Sequence, residues 1–237
     1  MKMSQDLKQN IPPSDLAFNF VDVVALYGQF PVLAGATLCG AKGTLTAVIG
    51  GNGAGKTSLL RTLAGLNATS RGTAQVLGCD LNLGGGQLVG RVGLFGHNTG
   101  LYDELSPRDN LRFLAKVTRN SKRAVDEALA AVDLNSRVAS TPLSRLSAGQ
   151  RRRAGLSAMV LRSPELWLLD EPHASLDPAA KVLVEHLVAG ALRAGSTVVL
   201  TSHEPELAFF MADQVAEMAG GVVTKITRGQ GGISDVS

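Results

Sequence analysis

The octapeptide Gly50-Gly51-Asn52-Gly53-Ala54-Gly55-Lys56-Thr57 restricts what this chain can fold into more than any other feature of its sequence. It satisfies G-x-x-x-x-G-K-[ST] and follows an apolar run at Thr44 to Ile49, ahead of a helical pattern from Lys56 to Ala64. That order is strand, phosphate loop, helix. Glycines let backbone N–H groups curl around phosphate oxygens, and the positive end of the helix adds to the attraction. Lys56 is suited to β- and γ-phosphates and Thr57 to Mg²⁺, so the expected phosphate-facing set runs from Gly50 through Ser58.

A loop of this kind belongs to an α/β sheet. Short apolar runs at Ala17 to Leu26, Val92 to Phe95, Leu166 to Leu169 and Thr197 to Thr201 predict further strands, with a mostly parallel sheet covered on both faces. Between them, residues 98–162 read as helices joined by short loops, a helical insertion in the core. Ser106-Pro107 marks one helix start, and Ser147 with Gln150 forms a capping box at another. Met1 to Ser14 is polar and reads as a disordered leader before a domain over 15–228, and the Gly-rich residues 229–237 read as a flexible tail.

At 237 residues, 45% apolar and 18% charged, the chain buries a real core, which excludes wholesale disorder. A formal charge of +3 is too small a surplus to imply a specific nucleic-acid partner. Cys39 and Cys79 have no CxxC spacing, which argues against a zinc site. No apolar run reaches the roughly 18 residues of a membrane span.

The strand Leu166-Trp167-Leu168-Leu169 ends in Asp170-Glu171. Adjacent carboxylates at a strand end project differently, so Asp170 suits Mg²⁺ and Glu171 suits a base acting on water. Upstream, Leu146-Ser147-Ala148-Gly149-Gln150 is a helix start that doubles as an anion site. Arg151 to Arg153 read as a solvated helix face, and His173 and His186 as surface residues.

Taken in order, these motifs resemble the ATP-binding subunit of ATP-binding cassette (ABC) transporters, over about Ala17 to Ile226. The likeness rests on Gly50 to Thr57, Leu146 to Gln150, Leu166 to Glu171, Ser175-Leu176-Asp177 and Thr201-Ser202-His203. It implies a P-loop ABC ATPase core, with antiparallel strands at the N-terminal side, that hydrolyses ATP with Mg²⁺ held by Thr57 and Asp170. Two such subunits, in a homodimer or heterodimer, are expected to sandwich ATP between one P-loop and the partner's signature at Ser147, Ala148, Gly149 and Gln150. The resemblance further assigns Tyr27 to adenine stacking, Asp177 to communication across the dimer, and Glu171 and His203 to the reacting γ-phosphate and water. Separate transmembrane permease subunits docking near residues 97–106 are the implied partners, which puts the chain at the cytoplasmic face of the cell membrane.

Two departures stand out. Ala148 replaces the family's usual glycine, and His97 stands where a glutamine is usual. Histidine there, with Asp109-Asn110-Leu111-Arg112-Phe113, resembles the haem-export branch tied to cytochrome c maturation, while Tyr27 does not. His97 is expected to act through a bridging water or as a donor to the γ-phosphate, because Mg²⁺ prefers oxygen over imidazole. The competing readings are an exporter motor for another small molecule, lipid or drug, and a soluble cassette ATPase acting on nucleic acid or ribosomes. A metabolite kinase would not need the signature.

Overall fold

A computed structural model describes residues 12–96, 98–174 and 176–235. His97 and Ser175 lie outside the described residues, as does the part of the expected leader before Pro12.

The chain opens with two long strands, β1 (Leu16–Tyr27) and β2 (Phe30–Ala41), then enters the core through β3 (Leu45–Ile49). Helix α1 (Lys56–Leu63) leads to β4 (Ala68–Val76), β5 (Cys79–Asp80) and β6 (Val92–Phe95). Four helices follow, α2 (Pro107–Thr118), α3 (Lys122–Ala130), α4 (Ser136–Ala139) and α5 (Ala148–Arg162). The rest alternates: β7 (Leu166–Leu169), α6 (Pro178–Arg193), β8 (Thr197–Ser202), α7 (Pro205–Met211), and the hairpin β9 (Gln214–Ala219) and β10 (Val222–Arg228).

Two sheets result. One is antiparallel with order β2-β1-β4-β5, and the other has six strands in the order β10-β9-β3-β8-β7-β6. Pairing is parallel from β9 through β6, and only β10 runs against its neighbour. Successive residues of a strand face opposite sides, so a central strand that is apolar throughout serves two cores. In β7, Leu166 and Leu168 pack with α1 and the antiparallel sheet, whereas Trp167 and Leu169 pack with the helices on the other face.

The helices start where side chains can satisfy their first N–H groups. Ser106 caps α2 with Pro107 at its first position, Asp177 caps α6 in the same way, and Ser147 and Gln150 form a reciprocal capping box on α5. Helix α5 also packs closely at Gly155, where a Cβ would meet Thr99 Cγ2 at 2.8 Å and Phe95 Cε2 at 2.9 Å.

The turn between β9 and β10 ties the two sheets together. Gly221 N donates to Ala54 O at 2.9 Å, and Gly221 O accepts from Ala34 N at 2.9 Å.

Near both ends the described residues take definite courses. Pro13–Asp15 forms a 3₁₀ turn, and the strand pairing begins at Leu16. Residues 229–233 are packed rather than loose: Gly229 N donates to Asp213 O, Gly231 N donates to Ala212 O, and Ile233 is buried in the helical-side core. The glycines permit this course because a Cβ at Gly229 would lie 2.0 Å from Ala212 O.

Candidate functional site

The loop between β3 and α1 needs glycine at its two ends. Gly50 has φ +153° with a would-be Cβ 2.4 Å from Met218 O, and Gly55 has φ +103° where it caps α1. Neither position accepts a side chain without moving backbone. The N-terminal end of α1 is thereby turned to the mouth of a cleft of about 590 Å³. Asn52 to Ser58, Glu171, Pro31, Val32 and the Gly220–Gly221 turn line that cleft. Lys56 is buried, and its Nζ donates to the carbonyls of Gly50 at 2.8 Å and Gly51 at 3.2 Å.

Strand β7 delivers the two carboxylates beside this loop. Thr57 Oγ1 donates to Asp170 Oδ2 at 2.7 Å, and Thr201 Oγ1, at the end of β8, donates to Asp170 Oδ1 at 2.7 Å. The Thr201 hydroxyl also accepts from Glu171 N at 2.8 Å, so one side chain orients both acids. The Glu171 side chain turns away from Asp170: its Oε1 is 2.5 Å from His203 Nε2 and 3.9 Å from Lys56 Nζ. Glu171 also adopts φ +50°, which costs a non-glycine residue about 1–3 kcal/mol and persists only where neighbours enforce it.

Residues expected from motifs thus converge here: the loop, Lys56, Thr57, Asp170, Glu171 and His203. Others do not. Ser147, Ala148 and Gly149 are exposed, and Ser147 and Gln150 line a separate cleft of about 300 Å³ shared with Asp177. Asp177 Oδ1 accepts from Ala180 N at 2.8 Å, which is its capping bond. Tyr27 stands at the end of β1 outside the lining of the phosphate cleft, with the Arg61 guanidinium 5.7 Å from its ring centroid.

Two residues read as surface belong to the interior. Arg152 is half-buried, donates through Nη2 to Glu171 O at 2.5 Å, and lies 5.2 Å from the Phe95 ring centroid. Desolvation pulls its guanidinium below the ordinary arginine range, against the opposing pull of the Glu171 and Asp170 carboxylates. The signal was available in helix geometry. Consecutive residues on a helix point about 100° apart, so three adjacent arginines cannot share one face. His173 is buried with neither ring nitrogen hydrogen-bonded, and burial lowers its pKa to about 4, helped by Lys181 and Arg152 and opposed by Glu204. His186 is exposed, with Nδ1 2.8 Å from Val182 O.

A phosphate loop facing a strand-end Asp-Glu pair and a histidine, on a parallel sheet, defines a P-loop ATPase. The chain belongs to the ABC transporter family, whose model matches residues 33–174, and as a member it binds and hydrolyses ATP. A cytochrome c biogenesis ATP-binding export protein CcmA of Pseudomonas fluorescens is 40% identical over 164 residues, covering 69% of this chain and 77% of that protein. A daunorubicin resistance ATP-binding protein DrrA3 of Streptomyces coeruleorubidus is 35% identical over 201 residues, covering 83% of this chain and 63% of that protein. Among solved structures, a dimeric ATP-binding cassette in a post-hydrolysis state bound to ADP and Pi superposes with a TM-score of 0.80 at 20% identity. That match covers 89% of this chain and 98% of the other, and it speaks to the fold. None of the described residues forms a helix long and apolar enough to cross a membrane.

Proposed function

We propose that this chain is the ATP-hydrolysing motor of an exporter serving cytochrome c biogenesis, in the haem-exporting branch. It sits at the cytoplasmic face of the cell membrane and works through separate transmembrane permease subunits. The observation that carries the cargo assignment is the likeness to CcmA proteins, including one of Cupriavidus necator at 41% identity over 174 residues. The geometry of the site supports the chemistry.

In this reading the N–H groups of Gly50 to Gly55 and the start of α1 hold the phosphates, with Ser58 behind them, and Lys56 exchanges its bonds to the Gly50 and Gly51 carbonyls for phosphate oxygens. Tyr27, 65% exposed, stacks on adenine. The Thr57 hydroxyl and Asp170 carboxylate form a pair of hard oxygen donors of the kind Mg²⁺ prefers, and they are the residues that would hold it. A Mg²⁺ ion held by these two side chains would supply positive charge against the phosphates.

Glu171 Oε1 takes a proton from the attacking water as its oxygen bonds to the γ-phosphorus and the bond to the bridging oxygen of ADP breaks. His203, 2.5 Å from that carboxylate, keeps it aimed and reaches the γ-phosphate. Because Ser147, Gly149 and Gln150 line a different cleft from the P-loop, each site is completed by the signature of a second cassette, with Asp177 beside it. His97 acts as a donor to the γ-phosphate or through a bridging water.

Deleting the gene from its own genome tests the cargo assignment. Covalent haem in c-type cytochromes should disappear, and the native gene but not Lys56→Ala should restore it. Normal cytochromes together with new sensitivity to a lipophilic drug would move the reading to another exporter, and nucleic-acid binding that survives physiological salt would move it to the soluble class.

A further inference from the structure

We propose that Arg152 is a positioning residue for the base. It ties the helix that opens at Ser147 to the turn that carries Glu171, so phosphate contact at one protomer's signature sets the base of that same protomer. The inference rests on the reading of Glu171 as base and of Ser147 to Gln150 as a contact for the partner's ATP.

Three observations carry it. The first is a clamp: the Arg152 guanidinium lies 5.2 Å from the Phe95 ring centroid, where cation–π attraction favours it, and donates to Glu171 O at 2.5 Å. The second is that the Glu171 backbone needs holding. Its φ of +50° is sustained from both ends, with Thr201 Oγ1 on its N–H and Arg152 Nη2 together with Ala174 N on its carbonyl. The third is reach along α5. Arg152 is five residues past Ser147, about 7.5 Å along the axis of the same helix, so the capped first turn and the residue that holds the Glu171 carbonyl belong to one element.

The chemistry of arginine suits this task. Its planar fork stays charged even when half-buried, and it satisfies a carbonyl while its face lies on an aromatic ring. Beside the attraction of the Glu171 and Asp170 carboxylates, it grips the main-chain oxygen of the residue that carries the base.

The test is a double-mutant cycle on the full chain. Arg152→Met keeps an apolar stem against Phe95 and removes the donors, and Arg152→Lys keeps a charge and one donor site. Steady-state ATPase and the affinity for a fluorescent ATP analogue are measured for both, for Glu171→Gln, and for the Arg152→Met/Glu171→Gln pair. Arg152→Met should lower kcat about ten- to a hundredfold, the loss expected when a catalytic group is misplaced by about 1 Å. KM and analogue affinity should stay within about twofold, because ground-state binding is untouched. Arg152→Lys should fall between. In the Glu171→Gln background the residual single-turnover rate, read there because steady-state hydrolysis is blocked, should show no further loss, since no base remains to be positioned.

A raised KM at native kcat, a native-like Arg152→Met, or losses that multiply in the pair would overturn the proposal. If Arg152→Met does not fold, the kcat-against-KM split of Arg152→Lys decides in the same way. A Glu171→Gln enzyme that hydrolyses at the native rate removes the base assignment and this inference with it, whereas an inactive Glu171→Gln beside a native-like Arg152→Met removes the inference alone.

Discussion

Thr57 Oγ1 and Asp170 Oδ2 lie 113 residues apart in sequence and share a 2.7 Å hydrogen bond. The bond joins the first turn of α1 to the end of β7, so the phosphate loop and the acidic pair are aligned by the sheet itself. Thr201 closes the arrangement from β8, leaving Asp170 with both oxygens engaged and Glu171 directed elsewhere. Adjacent acids thereby acquire separate orientations.

Replacing Lys56 with alanine should abolish most nucleotide affinity. Charge-assisted hydrogen bonds contribute about 1.5–3 kcal/mol each, so a fluorescent ATP analogue should bind roughly ten- to a hundredfold more weakly. Equal affinity in the two proteins would remove the loop from the binding site.

Glu171→Gln should bind ATP, fail to hydrolyse it, and accumulate as a dimer, because binding shifts the association equilibrium while the step that reverses it is blocked. Size exclusion with and without MgATP reads this directly. A protein that stays monomeric at saturating ATP contradicts the sandwich.

The elements legible in the sequence were those where one local signal agrees with burial. Val92–Phe95 and Leu166–Leu169 coincide with the expected strands, since short buried parallel strands are bounded by glycine or charge. Strand β4 was missed because Thr69, Ser70, Arg71 and Gly72 carry no apolar alternation, and its place comes from pairing with β1 across the chain. The site was legible as a set of residues but not as a geometry. Nothing local announces that Thr201 bridges the two acids, and Arg152 was masked by the polar neighbours Arg151 and Arg153. His173 was equally hidden, for a histidine after Pro172 carries no periodicity that distinguishes inside from outside.

Gly155→Ala should destabilise the fold even though alanine favours a helix by about 1 kcal/mol over glycine. The added methyl would stand 2.8 Å from Thr99 Cγ2 and 2.9 Å from Phe95 Cε2, and overpacking of this kind costs about 1–3 kcal/mol. The urea midpoint should fall; a rise would mean the Thr99 and Phe95 side chains yield freely.

His173 should make stability depend on pH. Its folded pKa is lowered to about 4 from an ordinary 6.5, so between those values the unfolded chain holds a proton that the folded chain excludes. Stability is complete above pH 6.5 and declines as pH falls toward 4, by about 3 kcal/mol at most. Denaturant midpoints of His173→Leu should lack this share of the slope, and parallel curves for the two proteins would refute it.

The Gly221 turn between β9 and β10 hands one hydrogen bond to Ala54 in the phosphate loop and receives another from Ala34 in the antiparallel sheet. A single residue thus links the two sheets through both of its backbone polar groups. Any tilt of the antiparallel sheet against the core would strain the bonds that Gly221 makes to Ala34 and Ala54. Amide exchange at Ala34 and Gly221 should therefore slow together when MgATP fills the loop, and unchanged exchange at both would separate the joint from the nucleotide.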